Sequence, residues 1–352
     1  MTLEAKSFNP CRKTGIFFKG LSLFLIILSV SSCTSEKLYD IRGEAQGTYY
    51  SIKYIASNEI LTKEDFDGLF AKIDSSLSTY KDYSLISKFN REDSILTNDP
   101  FFIEMIRECD QIYHKSNGAF DATVLPLVRA WGFGPEGNEY VSSIPIDSLL
   151  KRVGWEKLSI QYLPDGRLSL KKGVKGMQLD FNAIAQGYSS DIIADVLNEA
   201  GISNYLIDSG GELKAKGLNN KGESWRIGVD NPEENASERS LIATFELKNT
   251  SVATSGNYRK FYIKDGVKYS HTISPFTGTP VKHTLLSATV ITDTCSIADG
   301  FATALMVIGT EKAISLIESL DNVEAYLVYS DEEGNFKSYL SKGLAGIINE
   351  KK

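Results

Sequence analysis

Asp299 and Thr303 are four residues apart in Ser296-Ile297-Ala298-Asp299-Gly300-Phe301-Ala302-Thr303. On a helix that spacing puts a carboxylate and a hydroxyl on one face. Their neighbours are small or apolar, where an ionised carboxylate is costly unless it is paired or bound to a cation. Two readings follow: an acidic residue favoured near a helix N-terminus, or a hard-cation site with oxygen ligands completed by phosphate and water. A second cluster is Asp180-Phe181-Asn182-Ala183-Ile184-Ala185-Gln186-Gly187-Tyr188. A strand ending at Asp180, a turn of small residues and a helix N-terminus would form a natural phosphate cradle. Asp208-Ser209-Gly210-Gly211-Glu212 offers a further turn where backbone could approach a ligand. Of the three histidines, His271 stands where a hairpin meets a Pro/Gly loop and is the best candidate for a general base near neutral pH. A structural role serves His114 at a helix end, and His283 suggests none.

These residues need elements to hold them. Alternation over residues 41–55 reads as strand, with Gly47 allowing a bend. Phe66, Leu69, Phe70, Ile73 and Leu77 share one face of a helix capped by Thr62. Further helices are expected at residues 101–114, 184–200, 296–308 and 311–320, and a helical segment around 146–153. Pro164-Asp165-Gly166, Asp265-Gly266 and residues 332–335 should turn hairpins. Met177 to Phe181 reads as a strand, residues 205–207 as a short buried one, and residues 224–291 as strand-rich. Without a regular βαβ rhythm, the pattern predicts an α+β fold of mixed sheets with packed helices, in a single compact catalytic unit. Gly132-Phe133-Gly134-Pro135-Glu136-Gly137 matches G-x-G-x-x-G in letters only: it follows Trp131 and contains Pro135, so a tight loop is expected and not a dinucleotide fold.

The 352 residues carry a net charge of −7, with 42% hydrophobic and 24% charged residues. That is ordinary for a globular chain, and the acidic balance argues against nucleic acid as a partner. The sequence has no CxxC and no HExxH, which argues against a zinc site. Residues 1–32 read as a secretory signal: Lys6, Arg12, Lys13 and Lys19, then the apolar run 21–28, then small residues. The run is shorter than a membrane span requires, although an uncleaved anchor helix is the competing reading. Cys33 after Val30-Ser31-Ser32 resembles a lipobox, so Cys33 would carry lipid and residues 33–39 would tether a domain at 40–350. Cys109 and Cys295 are expected to be free and buried.

Taken in order, the motifs resemble one family, the ApbE-type FAD:protein FMN transferases. They are Gly47-Thr48-Tyr49-Tyr50, Leu77-Ser78-Thr79-Tyr80, Ser87 to Asn90, Gly118 to Val128, Trp131 to Pro135, Asp180 to Tyr188, Ser209 to Glu212, Ala253 to Gly256, Ser270 to Gly278, and Ala298 to Thr303. The resemblance implies an ApbE-like fold that binds FAD with Mg²⁺, cleaves its pyrophosphate, releases AMP and joins FMN to a Thr of an acceptor flavoprotein. The acceptor would be a subunit of a respiratory redox pump or another exported flavoprotein. It also implies a catalytic domain on the periplasmic side of a bacterial envelope, lipid-anchored to the membrane. By position, Asp299, Thr303 and the carbonyl of Ala183 would hold the metal. Gln46, Tyr80, Ala119, Phe120, Asp121, Asp180, Gln186 and Ile273 would contact FAD, and His271 would take the acceptor's proton. The chain departs from the family pattern at Gln46 (often Met), Asn182-Ala183 (often Gly-Gly), Gln186 (often Lys or Glu) and Ala302 (Asp in some members). Two other outcomes stay open: a Mg²⁺-dependent FAD pyrophosphatase and a non-catalytic FAD-binding lipoprotein.

Overall fold

The alternating stretch at residues 41–55 folds back on itself. In a computed structural model of the chain, which describes residues 36–136, 144–230, 241–257, 261–264 and 267–350, it belongs to two paired strands, β1 (Lys37–Ala45) and β2 (Thr48–Ala56). Gln46 and Gly47 form the two-residue turn with φ of 54° and 74°. Positive φ at both positions matches the strands' right-handed twist. Alternation cannot distinguish one long strand from a tight hairpin, so only Gly47 hinted at the break.

The other strands are β3 (Ser94–Thr97), β4 (Leu158–Tyr162), β5 (Leu168–Lys172), β6 (Tyr205–Ser209), β7 (Glu212–Lys216), β8 (Trp225–Asp230), β9 (Leu241–Leu247), β10 (Thr250–Gly256), β11 (Phe261–Lys264), β12 (Val267–Ser270), β13 (Leu285–Thr292), β14 (Glu324–Ser330), β15 (Phe336–Leu340) and β16 (Ile348–Glu350). The helices are α1 (Lys63–Leu77), α2 (Leu85–Arg91), α3 (Pro100–Lys115), α4 (Leu125–Ala130), α5 (Ile146–Leu150), α6 (Ala185–Glu199), α7 (Cys295–Ile308) and α8 (Thr310–Ser319). The main sheet has the order β1-β2-β6-β7-β10-β13-β14-β15, with every neighbouring pair antiparallel. Two three-stranded sheets (β16-β9-β8 and β3-β5-β4) and the β11-β12 hairpin complete the α+β architecture.

Helix α7 lies at the centre. Ala298, Phe301, Ala302 and Leu305 pack with Ala253, Ala288 and Val290 of the main sheet, while Gly300 on another side meets Ile112 of α3. A helix apolar on all sides must be buried, and its sequence is of that kind. Trp225, Phe245 and Leu247 of the small sheet pack with Val252, Ile291 and Val328 of the main one. The described residues from 36 onward belong to one compact unit.

Met177 to Phe181 is not a strand; it has only an isolated parallel bridge between Val124 and Gln178. Its backbone is held differently: Asn90 donates to the Leu179 carbonyl and accepts from its N–H, and Asp180 N–H donates to Ala122 O. Residues 131–136 are turns and irregular chain, as expected of a tight loop and not of a dinucleotide fold, and Gly137 lies outside the described residues. Cys109 and Cys295 are free and buried. No helix among the described residues is long and apolar enough to cross a membrane. The expected signal, Cys33 and the Asp265-Gly266 turn lie outside the described residues.

Candidate active site

The first turn of α6 runs so close to α7 that only glycine fits. A Cβ on Gly187 would stand 2.5 Å from Cys295 O and 2.9 Å from Asp299 Cβ. That approach lets Gly187 N–H donate to Asp299 Oδ2 at 3.2 Å. Among the described residues this is the only hydrogen bond the Asp299 carboxylate makes. The side chain is otherwise enclosed, and burial pushes its carboxyl up to about 7. Thr303 follows one turn later, half-buried, its Oγ1 3.3 Å from Ser255 Oγ on β10. Ala183 is half-buried in the turn leading into α6, and Gln186 is half-buried in the first turn of the helix itself.

A buried carboxylate with one donor, a hydroxyl on the same helix face and exposed space at Asn182 suit a hard cation. No cluster of three or more His, Cys, Asp or Glu side chains is present among the described residues. Any metal here would therefore rest on one carboxylate, a hydroxyl and backbone, with the remaining ligands from substrate and water. The residues present fit Mg²⁺ used that way.

A second group surrounds Asp180. Its carboxylate accepts from Asn182 N–H at 2.9 Å, and burial raises its pKa although the Arg129 charge opposes the shift. Tyr80, 61% exposed, has its hydroxyl in hydrogen-bonding reach of Asn182. Two buried polar atoms near here have no partner among the described residues: Thr79 Oγ1, next to Tyr80, and Arg129 Nε. Arg129 is otherwise held by Gln178 at 2.8 Å and Glu136 at 2.9 Å. Unmet donors beside an exposed ring fit a polar, aromatic ligand such as FAD.

The third group is the loop after β12. Ser270 and Thr272 hydroxyls both donate to Asn257 Oδ1, the latter at 3.0 Å. They flank His271, which is half-buried with its ring edge-on to Phe133 at 6.4 Å between centroids. Trp131 Nε1 donates to Gly278 O at 2.8 Å and ties this loop to the chain after α4. Gly278 has φ of 71° and faces Ile146 and Leu127, so a side chain there would be strained and crowded.

Several candidates are used differently from their sequence reading. The Asp121 carboxylate is fully occupied, accepting from Thr123 N–H at 2.8 Å, Thr123 Oγ1 at 2.6 Å and Trp155 N–H at 3.2 Å. Ala119, Phe120 and Ile273 side chains are in the core. Any ligand contact at these four positions would fall to backbone. Gln46 reaches α6, donating to Ser189 Oγ at 2.8 Å, and also bonds Asp74. His283 bonds Met306 O and Leu285 N–H and is structural. Sequence reasoning passed over Arg129 and Asn257, each a single polar residue with no motif to mark it, and gave Ser255 no role although it stands inside the Ala253 to Gly256 motif.

Residues 46–327 match the ApbE family. The chain belongs to the ApbE family. A curated FAD:protein FMN transferase from Vibrio cholerae is 34% identical over 339 residues, 93% of this chain and 97% of that protein. The solved flavin transferase ApbE of Vibrio cholerae superposes with a TM-score of 0.77 at 32% identity, covering 89% of this chain and 99% of that one. The apo flavinyl transferase ApbE of Pseudomonas stutzeri gives 0.76 at 34% identity, covering 89% and 97%. In this ApbE chain all three groups lie inside the matched span.

One buried acid of this ApbE protein belongs to no motif in sequence but reaches Ser296 at the start of α7. Glu108 on α3 is pushed up to about 8 by burial and by the nearby Asp191 charge, with Ser296 opposing the shift; its Oε2 is buried without a partner. An ordinary glutamate near 4.5 loses its proton in the unfolded chain while the native one keeps it. Stability should therefore fall as pH rises from about 4.5 to about 8 and be flat beyond, by at most about 5 kcal/mol from this group. Melting temperatures at pH 5 and 8.5 should differ less in Glu108→Gln than in the native protein. An equal pH response in both would show that Glu108 ionises normally.

Proposed function

We propose that this protein is a Mg²⁺-dependent FAD:protein FMN transferase. The observation that carries the reading is Asp299: a buried carboxylate with one hydrogen bond, facing the Gly187 backbone, with Thr303 one turn away. The names of its relatives support the same activity. In the reaction, the acceptor threonine's oxygen forms a bond to the FMN-side phosphorus of FAD. The bond from that phosphorus to the bridging oxygen breaks, and AMP leaves with that oxygen. Mg²⁺, when bound, would neutralise charge on the phosphates. Asp299, Thr303 and the Ala183 carbonyl would hold it. His271 would take the proton of the attacking hydroxyl, on a loop pinned by Asn257. Tyr80 would lie against the flavin, while Thr79 and Arg129 supply donors to FAD that are otherwise unmet.

The test is incubation with FAD and Mg²⁺, with and without an acceptor domain, following AMP and in-gel flavin fluorescence that survives denaturation. AMP with covalent flavin supports the transferase. AMP with free FMN and no labelling of any competent acceptor would make it a pyrophosphatase. Tight FAD binding without AMP would make it a store.

We further propose that residues 1–32 are a signal, that Cys33 is lipidated and that residues 33–39 tether a catalytic domain at 40–350 outside the inner membrane. The acceptor would be an exported flavoprotein, such as a subunit of a respiratory redox pump. This rests on the basic, apolar and small-residue order before Cys33. Metabolic labelling with a fatty-acid probe should mark the native chain and not Cys33→Ala; equal labelling would refute it.

A further inference from the structure

The N-terminus of α7 is capped by a different helix. Thr294, at its own N-cap position, makes no side-chain cap bond. Asp191 of α6 supplies the cap from 104 residues earlier: Oδ1 accepts from Cys295 N–H at 3.0 Å, and Oδ2 from Ser296 N–H and Ser296 Oγ, both at 2.9 Å. The first N–H groups of a helix have no partner within it, so this carboxylate meets two of them at once. Lys214 of β7 closes the arrangement, donating to Asp191 Oδ1 at 2.6 Å and to Asp293 O at 3.0 Å. Both side chains are largely buried, 20% exposed for Lys214 and 13% for Asp191.

Asp191 is one turn after Gly187 on α6, as Asp299 is one turn after Cys295 on α7. The two helices are thus joined at two points, Asp191 to residues 295–296 and Gly187 to Asp299. With one point alone, the register of α7 on α6 would rest on apolar packing against the main sheet and α3, which is less directional than hydrogen bonds. Two points fix that register, and with it the placement of Asp299 and Thr303 relative to Ala183, in the turn before α6, and Gln186, in its first turn.

We infer that Asp191 is a positioning residue for the metal site: through its cap on α7 it sets the distance between the oxygen ligands of α7 and the backbone ahead of α6. The inference rests on the metal reading proposed above. Shortening the side chain leaves the ligands in the sequence but frees the helix that presents them. Capping alone would stabilise the fold without affecting metal affinity in the folded protein, and this difference separates the two roles.

The test is Mn²⁺ affinity, read from the paramagnetic signal of free Mn²⁺, with ADP present as a pyrophosphate that cannot yield FMN. Each full-length variant is measured well below its own melting temperature. Asp191→Ala should weaken Mn²⁺ binding at least tenfold, with FAD binding in the absence of metal changed less than twofold. Asp191→Asn, which keeps one acceptor oxygen, should recover part of the loss. Ile317→Ala, a buried α8 substitution away from the site, should lower the melting temperature with Mn²⁺ affinity unchanged. If Asp191→Ala and Asp191→Asn melt earlier yet bind Mn²⁺ like the native protein, Asp191 is a structural cap and the inference is wrong. Should Asp191→Ala not fold, Asp191→Asn and Lys214→Met decide: native Mn²⁺ affinity in both overturns the inference. Unchanged Mn²⁺ binding in Asp299→Asn would overturn the metal reading itself, a separate failure.

Discussion

Replacing Asp299 by Asn is expected to lower Mg²⁺-dependent AMP release about a thousandfold while leaving the protein folded. The amide oxygen can still accept from Gly187 N–H, and the side chain keeps its volume, so the α6–α7 approach should survive. What disappears is the carboxylate that would hold a cation. A metal's contribution to charge stabilisation is several kcal/mol, and each 1.36 kcal/mol is tenfold in rate. Stability should move the opposite way. The Asp299 carboxyl is pushed up to about 7, so the native chain holds its proton where an unfolded one has lost it. Native stability therefore falls as pH rises from the ordinary aspartate range to about 7. The Asn variant, having no charge to bury, should melt no lower than the native protein at pH 8 in metal-free buffer. Native-rate AMP release by Asp299→Asn would remove the metal assignment.

His271→Ala is expected to slow acceptor labelling by two to four orders of magnitude, roughly the range general-base catalysis contributes. The KM for FAD should change only a few-fold, because the loss concerns the proton of the attacking hydroxyl and not the binding of flavin. The loop should hold its shape without the imidazole: Ser270 and Thr272 remain tied to Asn257, and Trp131 remains tied to Gly278. Added imidazole should restore part of the rate. Labelling at the native rate would exclude the base role, and a loss confined to FAD affinity would recast His271 as a binding residue.

Much of the scaffold could be read from residue order because burial leaves a period. Helix α7 announced itself by being apolar on every side with one acid inside it, and α1 by its single apolar face. The segment Met177 to Phe181 misled because an apolar pentapeptide is compatible with any buried extended chain. Whether it joins a ladder depends on partners elsewhere, here Asn90 and Ala122. Asp121 shows a related ambiguity. A motif acid can face a ligand or bind its own backbone, and only the positions of Thr123 and Trp155 decide between them. Asp191 carried no signal, since a lone aspartate on a mixed helix looks like any surface acid until α7 is seen to end against it. The α+β class needed only the missing βαβ rhythm, whereas the eight-strand order depends on contacts between segments far apart in the chain.

The Gly187–Asp299 bond joins residues 112 positions apart, and this separation governs when the site comes into existence. Any fragment or partly folded intermediate that lacks either helix lacks the bond. A nascent chain that has not yet delivered α7 therefore lacks this junction. Conversely, whatever occupies the finished site draws on the whole cooperative fold. Occupancy should raise the melting temperature of the entire molecule in proportion to the logarithm of ligand concentration above its dissociation constant. Substrate supply would then govern how long the protein persists as well as how fast it works.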